Sequence, residues 1–290
     1  MLGAIIGDIV GSRFEFLPTN DYNFTMFADD CSFTDDTICT IAIADALLTG
    51  TDYGESLRLW GYRYPHPMGA YGVGFDRWLK SKNPRPYGSF GNGSAMRVSP
   101  VGWWFQELVD VAREASATAE CTHNHPEGIK GARAVAIAIH QILMKRRETG
   151  RPLTGKETAE ALRRSISLYS QGDEFRVDYE RARNRFDETC QGTVPVALEI
   201  LLRSNGFEDA IRRAVSLGAD ADTLGAIVGG MAEAIWDIPE HIKKEALSYL
   251  PDDMLAVINN FRAAIRERWQ HCEHMDEHVA EIRFDYNYEW

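Results

Sequence analysis

Basic charge, paired cysteines and an uninterrupted apolar leader are all in short supply in this 290-residue chain. Each shortage closes off a class of function. Lys and Arg number 31 against 43 Asp and Glu, and the formal net charge of −12 argues against nucleic acid or an anionic membrane as a partner. A small anionic ligand stays open, because backbone dipoles and metal ions act locally. The five cysteines (Cys31, Cys39, Cys121, Cys190 and Cys272) are an odd count at irregular spacing, without a CxxC pair. That pattern fits free thiols in a reducing cytoplasm and neither a disulfide framework nor a zinc site. The apolar N-terminal run MLGAIIGDIVGSRF has no basic region before it and is interrupted by Asp8, so it reads as neither signal peptide nor membrane span. A cytoplasmic protein is expected.

Alternating strand patterns bounded by hairpin turns are absent too, and helical periodicity takes their place. Apolar residues recur at helical spacing over 36–50, 107–120, 128–147, 154–169, 193–204, 207–218, 222–236, 239–250 and 251–270. No fixed-period repeat is visible, and GRPLTG at 150–155 is too short for a linker between domains. The expectation is an all-α fold in which residues 1–290 form one compact multi-helix domain, since 44% hydrophobic residues suffice for one substantial core.

Three loop segments break the pattern. FTDDT (33–37) opens the helix near Asp36, and GADADT (218–223) opens the one near Asp222. Capping and the helix dipole explain single acids at such places but not two pairs. If the two helix starts meet, Asp35, Asp36, Asp220 and Asp222 converge with Thr34 and Thr223. Such an oxygen-only nest suits Mg²⁺ or Mn²⁺ and does not suit zinc. Behind the second cluster, Gly225, Ala226, Gly229, Gly230, Ala232 and Ala234 strip bulk from the helix surface. Glycine inside a helix costs up to ~1 kcal/mol against alanine, so close helix–helix approach is expected there. The third segment, YGSFGNGSAMRVSP (87–100), is a glycine-rich loop before an apolar helical stretch, a place for backbone N–H groups to hold phosphate. It matches neither the P-loop nor the dinucleotide fingerprint. THNHPEG (122–128) adds His123 and His125, which are read as ligand contact or loop structure. Core packing is the expectation for most of Trp103, Trp104, Phe90 and Tyr87.

GAIIGDIVGSRFE, FTDDT, GNGSAMR, THNHPEG and GADADTLGAIVGG occur in this order over residues 2 to about 236. In this the chain resembles the ADP-ribosylglycohydrolase family, which includes the bacterial dinitrogenase reductase-activating glycohydrolases and the animal ADP-ribosylhydrolases. The resemblance implies an all-α fold around a central cleft holding two Mg²⁺ or Mn²⁺ ions. Thr34, Asp35 and Asp36 match the first ligand group of the family, and Asp220, Asp222 and Thr223 match the second. Glu15 matches a glutamate near metal and substrate, while Asn92, Gly93, Ser94 and His123 match substrate-contacting positions, with His125 beside them. One departure is visible: Ala219 stands where many relatives carry glycine.

The implied reaction is metal-dependent hydrolysis of the bond between ADP-ribose and a modified target. The target is a protein side chain, arginine-linked ahead of serine-linked. Glu15 is the first choice for the acid–base group and Asp35 the second, with Asp76 a more distant alternative. ADP-ribose is the implied product. Two alternatives are a hydrolase of a small ADP-ribosyl or nucleoside-like metabolite and a non-catalytic ADP-ribose binder. Segments 16–32 and 171–192 are expected to build the rim of the cleft.

Overall fold

The computed structural model describes residues 1–170, 175 and 177–273. These contain only helices and loops. Their nearest approach to β-structure is two isolated bridges, Thr34 with Met68 and Gly91 with Thr189. The first half comprises α1 (Leu2–Gly11), a 3-10 turn (Ser12–Phe14), α2 (Asp35–Thr49), α3 (Tyr53–Arg63) and α4 (Val73–Lys80). Two short turns, α5 (Gly93–Met96) and α6 (Ser99–Trp104), lead into α7 (Leu108–Glu120) and the long α8 (Pro126–Thr149). After them come α9 (Gly155–Ser167), α10 (Tyr179–Ala182), α11 (Cys190–Arg203), α12 (Phe207–Val215) and α13 (Ala221–Ile235). The last two are α14 (Glu240–Leu247) and α15 (Asp252–Glu273).

Two helices lie at the centre. All ten residues of α1 are buried, as is every residue of α13 except Glu233. A helix apolar on every face has no solvent side to offer, which is also why α1 carries little periodic signal and was not anticipated. The two run antiparallel along matching glycine ridges. A Cβ on Gly3 would stand 2.2 Å from the Gly229 carbonyl oxygen, and one on Gly7 would stand 1.9 Å from that of Gly225. A Cβ on Gly11 would lie 2.4 Å from the Ala221 carbonyl oxygen. The expected close approach therefore occurs, and its partner is the N-terminal helix. Around the pair lie α2, α8, α11 and α12, which contribute fully buried residues such as Ile41, Ile139, Leu198 and Ile211 to one continuous core.

Boundaries shift where local chemistry decides them. The 207–218 helix stops at Val215, because Gly218 takes a left-handed φ of 72° that ends the turn. The 128–147 helix starts two residues earlier, where Pro126 follows the His125 cap. Helices α3 and α4 had not been anticipated either. Trp104 is buried and stacks on Phe261, as expected of a core aromatic, whereas Phe90 and Tyr87 are exposed. Cys31, Cys39, Cys121 and Cys190 are free thiols, and Cys272 lies outside the residues whose side chains are described. Among the described residues no helix is long and apolar enough to cross a membrane.

Candidate active site

The antiparallel pairing sets the C-terminal half of α1 beside the N-terminus of α13, and α2 is tied to the same spot by one side chain. Asp8, fully buried on α1, accepts at Oδ2 from the backbone N–H groups of Thr34 (3.0 Å) and Thr37 (3.1 Å) and from the Thr37 hydroxyl. Its Oδ1 accepts from Thr34 Oγ1 at 2.7 Å. Burial still pushes its pKa up to about 6 against those four bonds. Sequence reasoning noted Asp8 only as an interruption of an apolar run. A lone carboxylate inside an otherwise apolar helix was the available signal, because such a group is buried only with partners.

Both acidic clusters face one cleft of about 410 Å³. Capping does not account for them. The cap of α2 is Thr34, whose Oγ1 accepts from Asp36 N at 3.2 Å, leaving the carboxylates of Asp35 and Asp36 free of that duty. Asp220 occupies the cap position of α13 but makes no side-chain capping bond; it accepts from Asn92 Nδ2 at 2.7 Å. The clusters touch where Thr223 Oγ1 donates to Asp36 Oδ2 at 3.2 Å. Asp36 Oδ1 is buried without any hydrogen-bond partner. Burial first, and the Asp222 charge second, hold the carboxyls of Asp35 and Asp36 well above the carboxylate range. Burial and then the Asp220 charge do the same to Asp222. Burial brings Asp220 to about 7. Among the described residues no three Asp, Glu, His or Cys side chains are drawn together into a finished cation cage.

Glu15 follows the 3-10 turn and leans on the turn at Gly69, where a Cβ would stand 2.3 Å from its Oε2. Burial, then the charges of Asp222, Asp8 and Glu188, raise its pKa to about 8. Opposite, the His123 ring packs over Gly93 and bonds Thr122 Oγ1 through Nδ1 at 2.7 Å. Burial and the nearby Arg97 keep His123 neutral, with its pKa well below the usual value. Asn92 and Gly93 line the cleft, but Ser94 does not; its hydroxyl donates to the Gly128 carbonyl at 2.7 Å. Of the loop amides, Gly91 N donates to Ser89 Oγ and Asn92 N to the Glu188 carbonyl, so the expected phosphate seat narrows to fewer free N–H groups.

Three expected residues stand elsewhere. His125 caps α8 by accepting from Glu127 N, and its ring rests on Phe90. Asp76 does not line the cleft and pairs with Lys80 at 2.7 Å. Thr34 is fully buried, its hydroxyl engaged by Asp8 and Asp36 N, which leaves one lone pair for any further ligand. Ala219 fits without strain, because the left-handed residue is Gly218. Cleft residues that carried no recognisable signal are Tyr71 and Arg97, whereas Phe16, Phe186 and Glu188 come from the two segments expected to form its rim. Of the rim segments, 171–174 and 176 lie outside the described residues. A larger cavity of about 850 Å³ lies beyond Asp220, lined in part by Lys130, Tyr169 and Arg181; of the expected site residues it reaches only Asp220.

The family model described as ADP-ribosylglycohydrolase matches residues 1–272. The chain belongs to the ADP-ribosylglycohydrolase family. It is 25% identical over 303 residues to the ADP-ribosylhydrolase ARH3 of Danio rerio, covering 82% of each protein. It is 27% identical over 283 residues to the ADP-ribosylarginine hydrolase Tri1 of Pseudomonas putida, covering 86% of this chain and 73% of that one. The ADP-ribosyl-[dinitrogen reductase] glycohydrolase of Rhodospirillum rubrum is 25% identical, with 82% of this chain and 85% of the relative covered. A solved structure described as an ADP-ribosylglycohydrolase-related protein complex superposes with a TM-score of 0.67 at 23% identity. It covers 92% of this chain and 96% of that one, and shows the shared fold. The glycohydrolase is thus an all-α enzyme of the expected class.

Proposed function

We propose that this ADP-ribosylglycohydrolase releases ADP-ribose from a modified protein side chain, arginine-linked ahead of serine-linked, with two Mg²⁺ or Mn²⁺ ions. One observation carries the reading: two Asp–Thr clusters from distant helix starts face a single cleft, with Asp36 Oδ1 buried and unpartnered. An orphaned buried carboxylate oxygen is costly unless something positive completes it. The donor set is oxygen-only, which suits a hard divalent cation. Thr34, Asp35, Asp36, Asp220, Asp222 and Thr223 would hold the ions. When bound, they supply Lewis-acid orientation of the ribose hydroxyls and of water.

The side chains do the rest. Glu15, half-buried, with its pKa raised by burial first and then by the neighbouring carboxylates, serves as the acid–base group. Water oxygen bonds to the anomeric carbon, the bond to the target breaks with its electron pair on the leaving atom, Glu15 gives that atom its proton, and the proton shed by the water returns to the Glu15 carboxylate. Asp35 is the second choice for this role, since a carboxylate held by cations makes a poor acid. Asn92, Gly93 and neutral His123 position the ADP-ribose, and Ser94 contributes through its backbone alone. Free thiols at the four described cysteines agree with a reducing cytoplasm, and residues 1–290 are read as one domain.

The test is ADP-ribose release from arginine-linked and serine-linked ADP-ribosylated proteins, each with Mg²⁺, Mn²⁺ or EDTA. Metal-dependent release from one of them is the expected result. No release despite tight ADP-ribose binding would move the activity to a small ADP-ribosyl metabolite or a binding role. Absence of ADP-ribose binding would overturn the assignment of the cleft.

A further inference from the structure

The floor of the cleft is acidic, but its mouth is aromatic. Phe16 follows Glu15 directly, and Phe186 precedes Glu188 by two residues; all four line the cavity. The two rings come from segments 170 positions apart in the chain and meet at a centroid distance of 6.4 Å and an angle of 31°. Contact does not bury them, for Phe16 stays 66% exposed and Phe186 46%. Two exposed rings at the mouth of a cleft offer aromatic faces on which a planar or cationic group can stack. Cations are scarce there. Among the described residues lining the cleft, Arg97 is the one Lys or Arg, and it is buried, with Nη2 bonded to the Thr118 carbonyl and to Thr122 Oγ1 at 2.8 Å each.

We infer that Phe16, Phe186 and Glu188 form the seat of the leaving group, and that this seat selects a guanidinium, and hence an arginine linkage, over the neutral hydroxyl of serine. The inference rests on the cleft being the ADP-ribosyl site. A guanidinium is planar, weakly hydrated and able to stack on an aromatic face within about 6 Å of the ring centroid. Its N–H fork also matches a carboxylate such as Glu188. A serine hydroxyl has neither property. Two divalent cations would balance the four aspartates of the floor, leaving Glu188 at the mouth for the leaving group.

The experiment uses the full chain with Mg²⁺ and two substrates, ADP-ribosylagmatine and a serine-ADP-ribosylated peptide. Variants Phe16→Leu, Phe186→Leu and the double variant keep apolar area but remove the ring face, while Phe186→Trp strengthens it. A cation–π contact at an exposed site is worth roughly 0.5–1 kcal/mol, which is about two- to fivefold per ring. The double leucine variant should therefore raise KM for ADP-ribosylagmatine about four- to twenty-five-fold. Its kcat/KM on the serine peptide and its calorimetric affinity for free ADP-ribose should stay within twofold, and Phe186→Trp should lower KM for ADP-ribosylagmatine below the wild-type value. Equal losses on both substrates, or none on the agmatine substrate, would overturn the inference. So would a wild-type enzyme that releases ADP-ribose from serine alone, a result that leaves the ADP-ribosyl site standing. Wild-type failure to bind ADP-ribose would instead take down the site assignment and the inference with it.

Discussion

Gly7→Ala adds one methyl group at the point where α1 and α13 approach most closely. That carbon would sit 1.9 Å from the Gly225 carbonyl oxygen and 2.2 Å from the carbonyl carbon, with backbone on every side and no flexible side chain to yield. Ordinary contact begins near 3.4 Å, so the helices must separate by roughly 1.5 Å. The separation would also loosen the flanking Gly3–Gly229 and Gly11–Ala221 contacts. Overpacking of a close-packed core costs about 1–3 kcal/mol and sometimes more, and a backbone-to-backbone clash belongs at the upper end. For a chain of this size, about 3 kcal/mol lowers Tm by roughly 6–12 °C. Gly155→Ala is the matched control. It lies at the first position of α9 with nothing within 4 Å of its Cβ, so alanine there should raise stability by about 0.5–1 kcal/mol. Thermal unfolding followed by circular dichroism reads both. A Gly7→Ala Tm within 2 °C of wild type would mean that the ridge does not hold the two helices, and with them the acidic clusters, in place.

Asp8→Ala leaves the N–H groups of Thr34 and Thr37 buried without an acceptor, at about 1–3 kcal/mol each. A loss of about 2–6 kcal/mol in urea unfolding is expected, most of it restored by Asp8→Asn; equal losses in the two variants would contradict the hydrogen-bond account. In EDTA, stability should fall as pH rises. Asp8, Asp220 and Glu15 titrate near 6, 7 and 8 in the fold, against 3.8, 3.8 and 4.5 ordinarily. Between about pH 4 and 8 the folded state thus holds protons that the unfolded chain has released, and the stabilisation is lost as pH climbs through the folded values. Calorimetry at pH 5, 6.5 and 8 checks this, and a Tm in EDTA that is flat or rises over that window contradicts it; saturating Mg²⁺ should reverse the trend. Asp36→Asn removes a buried carboxyl that the metal-free fold must keep protonated, while keeping an acceptor for Thr223 Oγ1. It should raise Tm in EDTA yet abolish the Tm increase that Mg²⁺ gives to wild type, and a retained increase would remove Asp36 from the metal site.

What the sequence made legible followed from where the information is local. The long peripheral helices announce themselves because one face meets water and the other does not, which imprints a period. The central helix α1 leaves no such imprint, since its ten residues are all buried. The acidic clusters stood out because two carboxylates in a short span conflict with ordinary burial, and the structure sets both on one cleft. Asp8 and Glu188 act through contacts 26 to 96 residues away in the chain (Thr34 for the first, Asn92 for the second), and no spacing rule reaches that far. Ser94 shows the converse. Its neighbours Asn92 and Gly93 face the cleft, yet a residue at the start of a helical turn points elsewhere, and its hydroxyl is taken by Gly128.

Among the described residues, the tightest glycine contacts between helices lie directly behind the acidic clusters, and the two are connected. The four aspartates of the clusters, three buried and Asp35 partly so, together with Asp8 and Glu15, would drive the starts of α2 and α13 apart if those helices had any freedom. Three things oppose the drift. The glycine ridges bring α1 and α13 into backbone contact, where dispersion acts over the whole interface. Asp8 ties α2 to α1 through two backbone and two side-chain donors. Both acidic helix starts also direct the positive ends of their dipoles at the carboxylates. A bound cation would then find its ligands already confined, with little reorganisation left to make. A softer interface between α1 and α13 would relieve the repulsion and lose that preorganisation, so selection for function works against relaxing the very contacts that stability alone would loosen.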